Sequence, residues 1–571
     1  MMREWNLKAG DPLSCVLAAD ARLGQTDYCN DQIWEISLGA GEPPALALQT
    51  TFGLRARSLR LFPRFIEGDS LQSDPSTFTR PPSIQYYYPN FLQLSYAPLP
   101  EIEVIAEYWI PSSHSSAGRI TITNSSILPR LIRLEWVALL SPSPEGQRMS
   151  ASQMENAPVL LGSSMGLAPL VFLTGGPQAG NAPYPSLSLD CDLPPGNSRQ
   201  VTWVQAAFPT PSESYQEVQR ILARHWDAER ARLELLNSGQ IEIHTGDPEW
   251  DAAFSLSQKV AFSLFLEPTE HLPYPSFVLT RQPDQGFSLR GDGGDYTYLW
   301  NGQSPLEAFY LTSLILPAAP NLAEGLLRNF LHTAKEDGFI DWKPGLGGQR
   351  SRLLATPMLA SLANRIYEIT GDQSFIREVF PFLLAFLHAW FLEELDRDKD
   401  GIPEWEHPMQ AGFDDHPLFA HWHPGCQGAN ITTAESPALC AFLYRECQTL
   451  IRFAGLLDQQ EPIPALMALA DHLRNVVEVS WDTEESTYRY WDRDSHYCTR
   501  QETLGERIGP GEMNIQRQFE HPVRLLVRIT LDGESTRRPH LFIHGSGISG
   551  QHVSSGRSAM ELRPVNEFTA P

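Results

Sequence analysis

The spacing of apolar positions changes along this chain, and each change predicts a different element. Over roughly the first 210 residues the period is two. Arg119, Ile120, Thr121, Ile122 and Thr123 alternate polar and apolar, as a half-buried strand requires. Residues 131–139 and 201–208 are further strand candidates, separated by Pro-, Gly-, Ser- and Asn-rich runs near 141, 174 and 192. An antiparallel β-sandwich over residues 1–210 is the expectation. Residues 211–240 change character, with helix formers running to Gly239, and predict a linker helix.

From Asp247 the period lengthens to that of helices. Asp247-Pro248 reads as an N-cap with proline at the first helical position. Ala253, Leu256, Val260 and Leu264 then share a face, and a second helix is expected over 304–316. Leu322, Leu326, Phe330 and Ala334 form a stripe that ends at Asp337-Gly338. Leu359, Leu362, Ala363, Ile366 and Ile369 form another, closed by Gly371. Pro381, Ser436-Pro437 and Pro464 each open a further helix. Seven helices in succession predict a helical bundle or toroid over residues 241–500. Residues 523–531 and 540–544 read as strands, and the last twenty or so residues show no clear period. Residues 501–571 are therefore expected to be a β-rich segment, either inserted or truncated.

Composition narrows the function classes. The 571 residues are 42% hydrophobic and 10% aromatic, enough for real cores, which excludes a disordered or collagen-like chain. Lys+Arg 43 against Asp+Glu 68 gives a net charge of -25. Such a surface repels nucleic acid and disfavours an anionic membrane. The most apolar run, residues 380–392, is too short to span a bilayer. The N-terminus shows no apolar signal core, and the seven cysteines are scattered without a CxxC pair. Reduced thiols in a cytoplasmic protein are the expectation; the sequence sets no oligomeric state.

The segment 396–417 is the richest in chemistry. Asp396, Asp398, Asp400 and Gly401 spell D-x-D-x-D-G, the opening of a calcium loop. The twelfth loop position is His407, where an EF-hand needs a bidentate glutamate, so this is not an EF-hand. A solvated acidic loop is one reading. The other is a structural calcium held in a different geometry, with Glu404 as a further ligand. No other cofactor is called for. Asp414 and Asp415 follow Gly412-Phe413, and a carboxylate beside aromatics can be desolvated enough to keep its proton. That is the state a glycosidic general acid needs. Trp300, Trp342, Trp405 and Trp422 fall in interhelical loops, where their rings could stack on a sugar. His416, His421, His423 and Cys426, with Asp414 or Asp415, could bind zinc. Their spacing matches no standard zinc motif, and hydrogen-bonding loop histidines are the plainer reading. Residues 290–303 lack the P-loop lysine; Asp292, Asp295, Trp300, Asn301 and Gln303 there could line a polar pocket.

Taken in order, these residues resemble a family. D-x-D-x-D-G-x-P-E-W (396–405) followed by G-F-D-D-x-P (412–417) is similar to the stretch leading to the general acid of glycoside hydrolase family 63 and its relatives. Those relatives include mannosylglycerate hydrolases and, more distantly, trehalases, within the six-hairpin glycosidase superfamily. E-D-G-F-I-D-W (336–342), I-Y-E-I-T-G-D (366–372) and W-D-T-E-E-S-T-Y-R-Y-W-D-R-D (481–494) also resemble family segments. The likeness covers about residues 240–500. It implies a multidomain β + α protein: an N-terminal antiparallel β-sandwich, a linker helix, an (α/α)6-type helical toroid and a short C-terminal β segment. Seven helical stripes fall short of a complete (α/α)6 ring.

The resemblance further implies that Asp414 is the general acid of an inverting α-glycosidase. The acid protonates the leaving oxygen while a second carboxylate, roughly 6.5–9.5 Å away, activates water on the opposite face. Trp300, Asn301, Gln303, Trp342, Gln349, Trp405, Asp415 and Trp422 are the substrate-binding candidates. Asn301 stands where the family has Asp, and His416 replaces a common Ser, so the sugar identity stays open. No family-like segment supplies the base; Glu435 and Glu520 are the acids available. Glu435 is more simply a helix-start acid favoured by the dipole, and Glu520 a polar residue before a strand. The implied partner is a small α-linked glucoside, mannoside or oligosaccharide. The alternatives are a non-catalytic carbohydrate-binding scaffold and, behind it, a metal-dependent hydrolase.

Overall fold

Alternating residues from 33 to 208 do form the two faces of a β-sandwich. The computed structural model describes residues 5–6, 15–18, 33–277, 302–412, 416–420, 426–498, 502–520, 523–531, 539–547 and 549–570. One sheet has nine strands, in the order Trp5–Asn6, Arg80–Tyr88, Phe91–Leu99, Ile102–Ser112, Ser115–Asn124, Ser198–Phe208, Ala168–Leu173, Ala157–Ser163, Gln147–Met154. The other runs Gln178–Gly180, Ser186–Leu193, Arg130–Pro142, Ala56–Glu67, Leu46–Thr50, Ile33–Leu38, Cys15–Ala18, with Ser70–Gln72 paired to Ala56–Glu67. All pairings are antiparallel. Ile120 sits opposite Ala106 on one side and Val201 on the other, so the alternating stretch from 119 to 123 lies mid-sheet. The inner faces meet where Trp136 stacks on Trp203, with ring centroids 4.6 Å apart. Gly118 makes room for this packing: a Cβ there would lie 2.5 Å from the Trp203 ring.

The expected single linker helix is two helices. Helix α1 (Pro211–Leu222) starts in a capping box between Thr210 and Glu213. Helix α2 (Trp226–Leu236) follows after a break at residues 223–225 and is capped by His225. Tyr215, Val218, Ile221 and Leu233 bury their side chains against Phe91, Trp109, Val204 and Ala206 of the nine-stranded sheet. Both helices are thus a layer on the sandwich, not a free spacer. Helix α3 (Pro248–Ser263) begins as its sequence predicts, with the Asp247 carboxylate accepting the amides of Glu249 and Trp250.

Further helices are α4 (Pro305–Ile315), α5 (Pro320–Leu331), α6 (Leu359–Thr370), α7 (Gln373–Ala389), α8 (Pro437–Leu456) and α9 (Ile463–Val479). Gly371 ends α6 in the left-handed region at φ 65°. One expectation is corrected. Pro381 does not open a helix; it lies inside α7, which starts after Asp372, whose carboxylate accepts the Ser374 amide. Proline at that point breaks no tertiary packing, because Phe375, Ile376, Val379, Phe380 and Leu383 stay buried on either side of it. Two compact units divide the chain: residues 1–303, 310–329 and 344–349 form one, and 304–309, 330–343 and 350–571 the other.

The C-terminal reading also changes. The aperiodic tail contains two strands, His552–Arg557 and Val565–Ala570. They pair with Leu541–Ser546 and Val523–Arg528 respectively. His552–Arg557 has Val553 as its one aliphatic residue, and the buried side chains described in Val565–Ala570 are Asn566 and Phe568, so no apolar alternation marks either strand. Among the described residues, no helix is long and apolar enough to cross a membrane.

Candidate functional site

The acidic loop after α7 is built by its own first aspartate. Asp396 is buried, and its two oxygens accept the amides of Asp400 and Gly401, each at 3.1 Å. Gly401 takes φ 86°, the conformation that the sixth position of such a loop asks of glycine. Asp400 in turn accepts the Ile402 amide at 2.8 Å. The Asp396 carboxylate therefore closes the loop on itself, while Asp398 and Asp400 face His496.

Glu404 takes a different role. It is fully buried, its amide donates to Leu395 at 2.7 Å, and its carboxylate accepts from Arg397 at 3.0 Å. Burial pushes its pKa up to about 7 against the pull of Arg397. Glu404 also forms a backbone bridge to Glu435, the last residue before the Ser436 cap of α8. Glu435 pairs on its other side with Trp491, in the short strand Trp491–Asp492. The hairpin leaving that strand carries His496. The structure thus brings Asp398, Asp400, Glu435 and His496 together, one ligand-capable atom from each lying within 4.8 Å of the others. Glu435 is 1% exposed, and neither carboxylate oxygen finds a hydrogen-bond partner among the described residues. Its pKa is pushed up to about 9, first by burial and then by the carboxylates of Asp400, Asp398, Glu404 and Asp492.

Beyond the loop, the chain runs toward Asp414 along a fixed track. The short 3-10 helix Pro408–Ala411 is capped by His407 and ends on Gly412 at φ 82°. Gln410 is fully buried and pins it: its side-chain oxygen accepts the amides of Glu406 and His407, both at 2.9 Å, and its nitrogen donates to the Leu354 carbonyl at 2.8 Å. Removing these bonds leaves two amides and a carbonyl unsatisfied. Gln410→Ala is expected to lower the stability of the second unit by about 2 kcal/mol, which urea denaturation would measure. On the far side, His416 Nδ1 accepts the Leu418 amide at 3.2 Å, and Nε2 lies 3.1 Å from the Tyr490 hydroxyl. Burial lowers the His416 pKa, which favours the neutral ring in this hydrogen-bonding role.

The remaining candidates separate. Trp300, Asn301, Asp414, Asp415, Trp422, His421 and His423 lie outside the described residues, as do Asp292 and Asp295. Trp405 is a core residue rather than a sugar platform. It is 1% exposed and packs edge-on against Trp390, at 5.5 Å, and Phe442. Gln303 is likewise spent on the fold: fully buried, it accepts from Ser276 and Asn329 and donates to the Leu326 carbonyl. Trp342 is nearly buried, its amide bonded to the Leu353 carbonyl at 2.8 Å. The neighbouring Asp341 organises its segment by accepting the amides of Lys343, Ser351 and Arg352 and the Ser351 hydroxyl. Gln349 is half-buried, and its side chain accepts the Gly347 amide at 3.1 Å. Glu520 is exposed in a stretch without regular structure, far from the desolvation a base or acid would draw on. A groove on the sandwich, lined by Ala151, Ser152, Gln153, Pro158, Pro177, Gln178 and Ala179, offers neither carboxylate nor aromatic ring.

His496 and Glu435 are the cluster members whose proximity sequence reading did not show. Their separations from Asp400 in the chain are long, and they are joined by the pairing of two two-residue strands and by the single bridge from Glu404 to Glu435. That pairing leaves almost no periodic trace.

Residues 300–509 match the family model of the mannosylglycerate hydrolase MGH1-like glycoside hydrolase domain. No curated protein matches the chain. Among solved structures, a human-microbiome protein described as a kojibiose phosphorylase aligns at 8% identity and TM-score 0.41, covering 86% of this chain and 72% of its own. A bacterial glucoamylase complexed with acarbose aligns at 10% identity and TM-score 0.47, covering 85% and 71%.

Proposed function

We propose that this protein hydrolyses a small α-linked glucoside, mannoside or oligosaccharide by an inverting acid/base mechanism with Asp414 as the general acid. The observation that carries this reading is the family match over residues 300–509, which spans both the acidic loop and the G-F-D-D segment. In this mechanism Asp414 gives its proton to the glycosidic oxygen as the bond to the anomeric carbon breaks. A water, deprotonated by a second carboxylate, attacks from the opposite face. The Asp396-folded loop, Glu404 and the Gln410-pinned turn fix the chain that enters residues 413–415.

The structure also bears on the base. Glu435, one of the two acids available for that role, faces Asp398, Asp400 and His496 rather than standing alone. The test is an assay of purified protein on aryl α-glucosides, aryl α-mannosides and α-linked disaccharides, beside Asp414→Asn. Sugar release from the α-linked disaccharides by the wild type alone is the expected result, with the aryl glycosides less affected by the substitution. Saturable sugar binding with no turnover by either protein would replace this reading with that of a carbohydrate-binding scaffold.

A further inference from the structure

We propose that Asp398, Asp400, Glu435 and His496 form a binding site for a divalent cation of the calcium class. Such an ion would join the acidic loop to the strand residue before α8 and to the hairpin after Trp491–Asp492. Two independent observations meet here. The first is convergence: residues distant in sequence place four ligand-capable atoms within 4.8 Å of one another. The second is the state of Glu435. A carboxylate that is 1% exposed needs a partner for its charge and its lone pairs, yet both of its oxygens lack a hydrogen bond among the described residues. His496 Nδ1 lies 3.4 Å from Glu435 Oε1 without making a hydrogen bond to it.

Charge selects the ion. His496 stands 3.4 Å from Asp398 Oδ2 through one ring nitrogen and 3.4 Å from Asp400 Oδ2 through the other. Even as imidazolium it offers one positive charge among three carboxyl groups, and a divalent ion that displaces the Glu435 proton would engage all three. The neighbouring cations are committed elsewhere: Arg397 to Glu404 at 3.0 Å, and Arg524 to Asp492 and Asp494. Three carboxylate donors favour a hard, oxygen-seeking ion. The ligand set differs from the one the D-x-D-x-D-G pattern suggests. Asp396 spends its oxygens on the loop amides, and Glu404, paired with Arg397, is not among the residues whose ligand atoms converge, so neither is counted as a direct ligand. Glu435 and His496 take their places.

The test uses the full chain stripped with chelator and titrated with CaCl2, read by calorimetry and by thermal unfolding. Binding of one calcium per chain and a rise of several degrees in Tm are expected. Asp398→Asn and Glu435→Gln should each weaken binding by more than about tenfold. Asp398 has an exposed backbone, so that variant carries the test if Glu435→Gln does not fold. The absence of both heat and Tm shift with calcium would overturn the site. So would unchanged affinity in Asp398→Asn, or binding of zinc without binding of calcium. None of these readouts depends on glycosidase activity.

Discussion

Asp414→Asn is expected to lower kcat on α-linked disaccharides by about 10²–10⁴-fold, the range that a positioned general acid contributes. Asparagine keeps the size and polarity of the side chain but has no acidic proton to give. The loss should depend on the leaving group. A sugar alkoxide leaves poorly without protonation, so disaccharides should suffer the full decrease. A nitrophenolate leaves readily unprotonated, so aryl glycosides should suffer much less. A variant that merely disturbed the fold would slow both substrates alike. Gly412, the last described residue before Asp414, donates its amide to the Met409 carbonyl at 3.2 Å, and Gln410 bonds Glu406, His407 and Leu354; none of these bonds involves the Asp414 side chain. Thermal unfolding of Asp414→Asn should therefore stay close to wild type, while the kinetics on the two substrate classes diverge.

Glu446→Ala should produce the largest loss of stability, about 3 kcal/mol in the second unit. Helix α6 has no capping side chain of its own: the residue before it is Met358, which makes no cap bond. The cap comes instead from α8. Glu446 is 2% exposed, and its carboxylate accepts the Ala360 amide at 2.7 Å, the Ser361 amide at 2.8 Å and the Ser361 hydroxyl at 2.7 Å. Truncation leaves these donors buried without acceptors. Burial raises the Glu446 pKa, opposed by Ser361 and the two amides. Because the folded value lies above the unfolded one, its contribution is whole below the ordinary carboxylate range and falls as pH rises through the folded value. Glu446→Gln, which does not titrate, should be milder than Ala, and its deficit against wild type should narrow as pH rises. Urea denaturation at a series of pH values checks both points.

Much of the fold was legible because local chemistry fixes it. The alternation at 119–123 marks a mid-sheet strand, Asp247-Pro248 marks the start of α3, and Gly371 marks the end of α6. Each is a backbone requirement met by the residue at that position. Pro381 misled because proline is a boundary signal only when tertiary packing does not override it, and α7 is buried on both sides of that residue. The strands after 550 were missed because they carry few apolar side chains, with Val553 the one aliphatic residue of the first and Asn566 buried alongside Phe568 in the second. At the site, the D-x-D-x-D-G pattern located the loop, but not which carboxylates face His496. That depends on Asp396 turning to its own amides. Trp405 and Gln303 looked like ligand contacts because tryptophan and glutamine suit both sugar sites and cores. Their partners, Trp390 and Phe442 in one case and Ser276, Asn329 and Leu326 in the other, place them in cores.

The most direct test of the account is the stereochemistry of the first sugar released. An α-linked disaccharide that the wild-type enzyme cleaves should be followed by proton NMR from the earliest minutes, before mutarotation mixes the anomers, with Asp414→Asn in a parallel tube. The account predicts the β-anomer first from the wild type and almost no sugar from the variant. The α-anomer appearing first, or sugar released undiminished by Asp414→Asn, would contradict it.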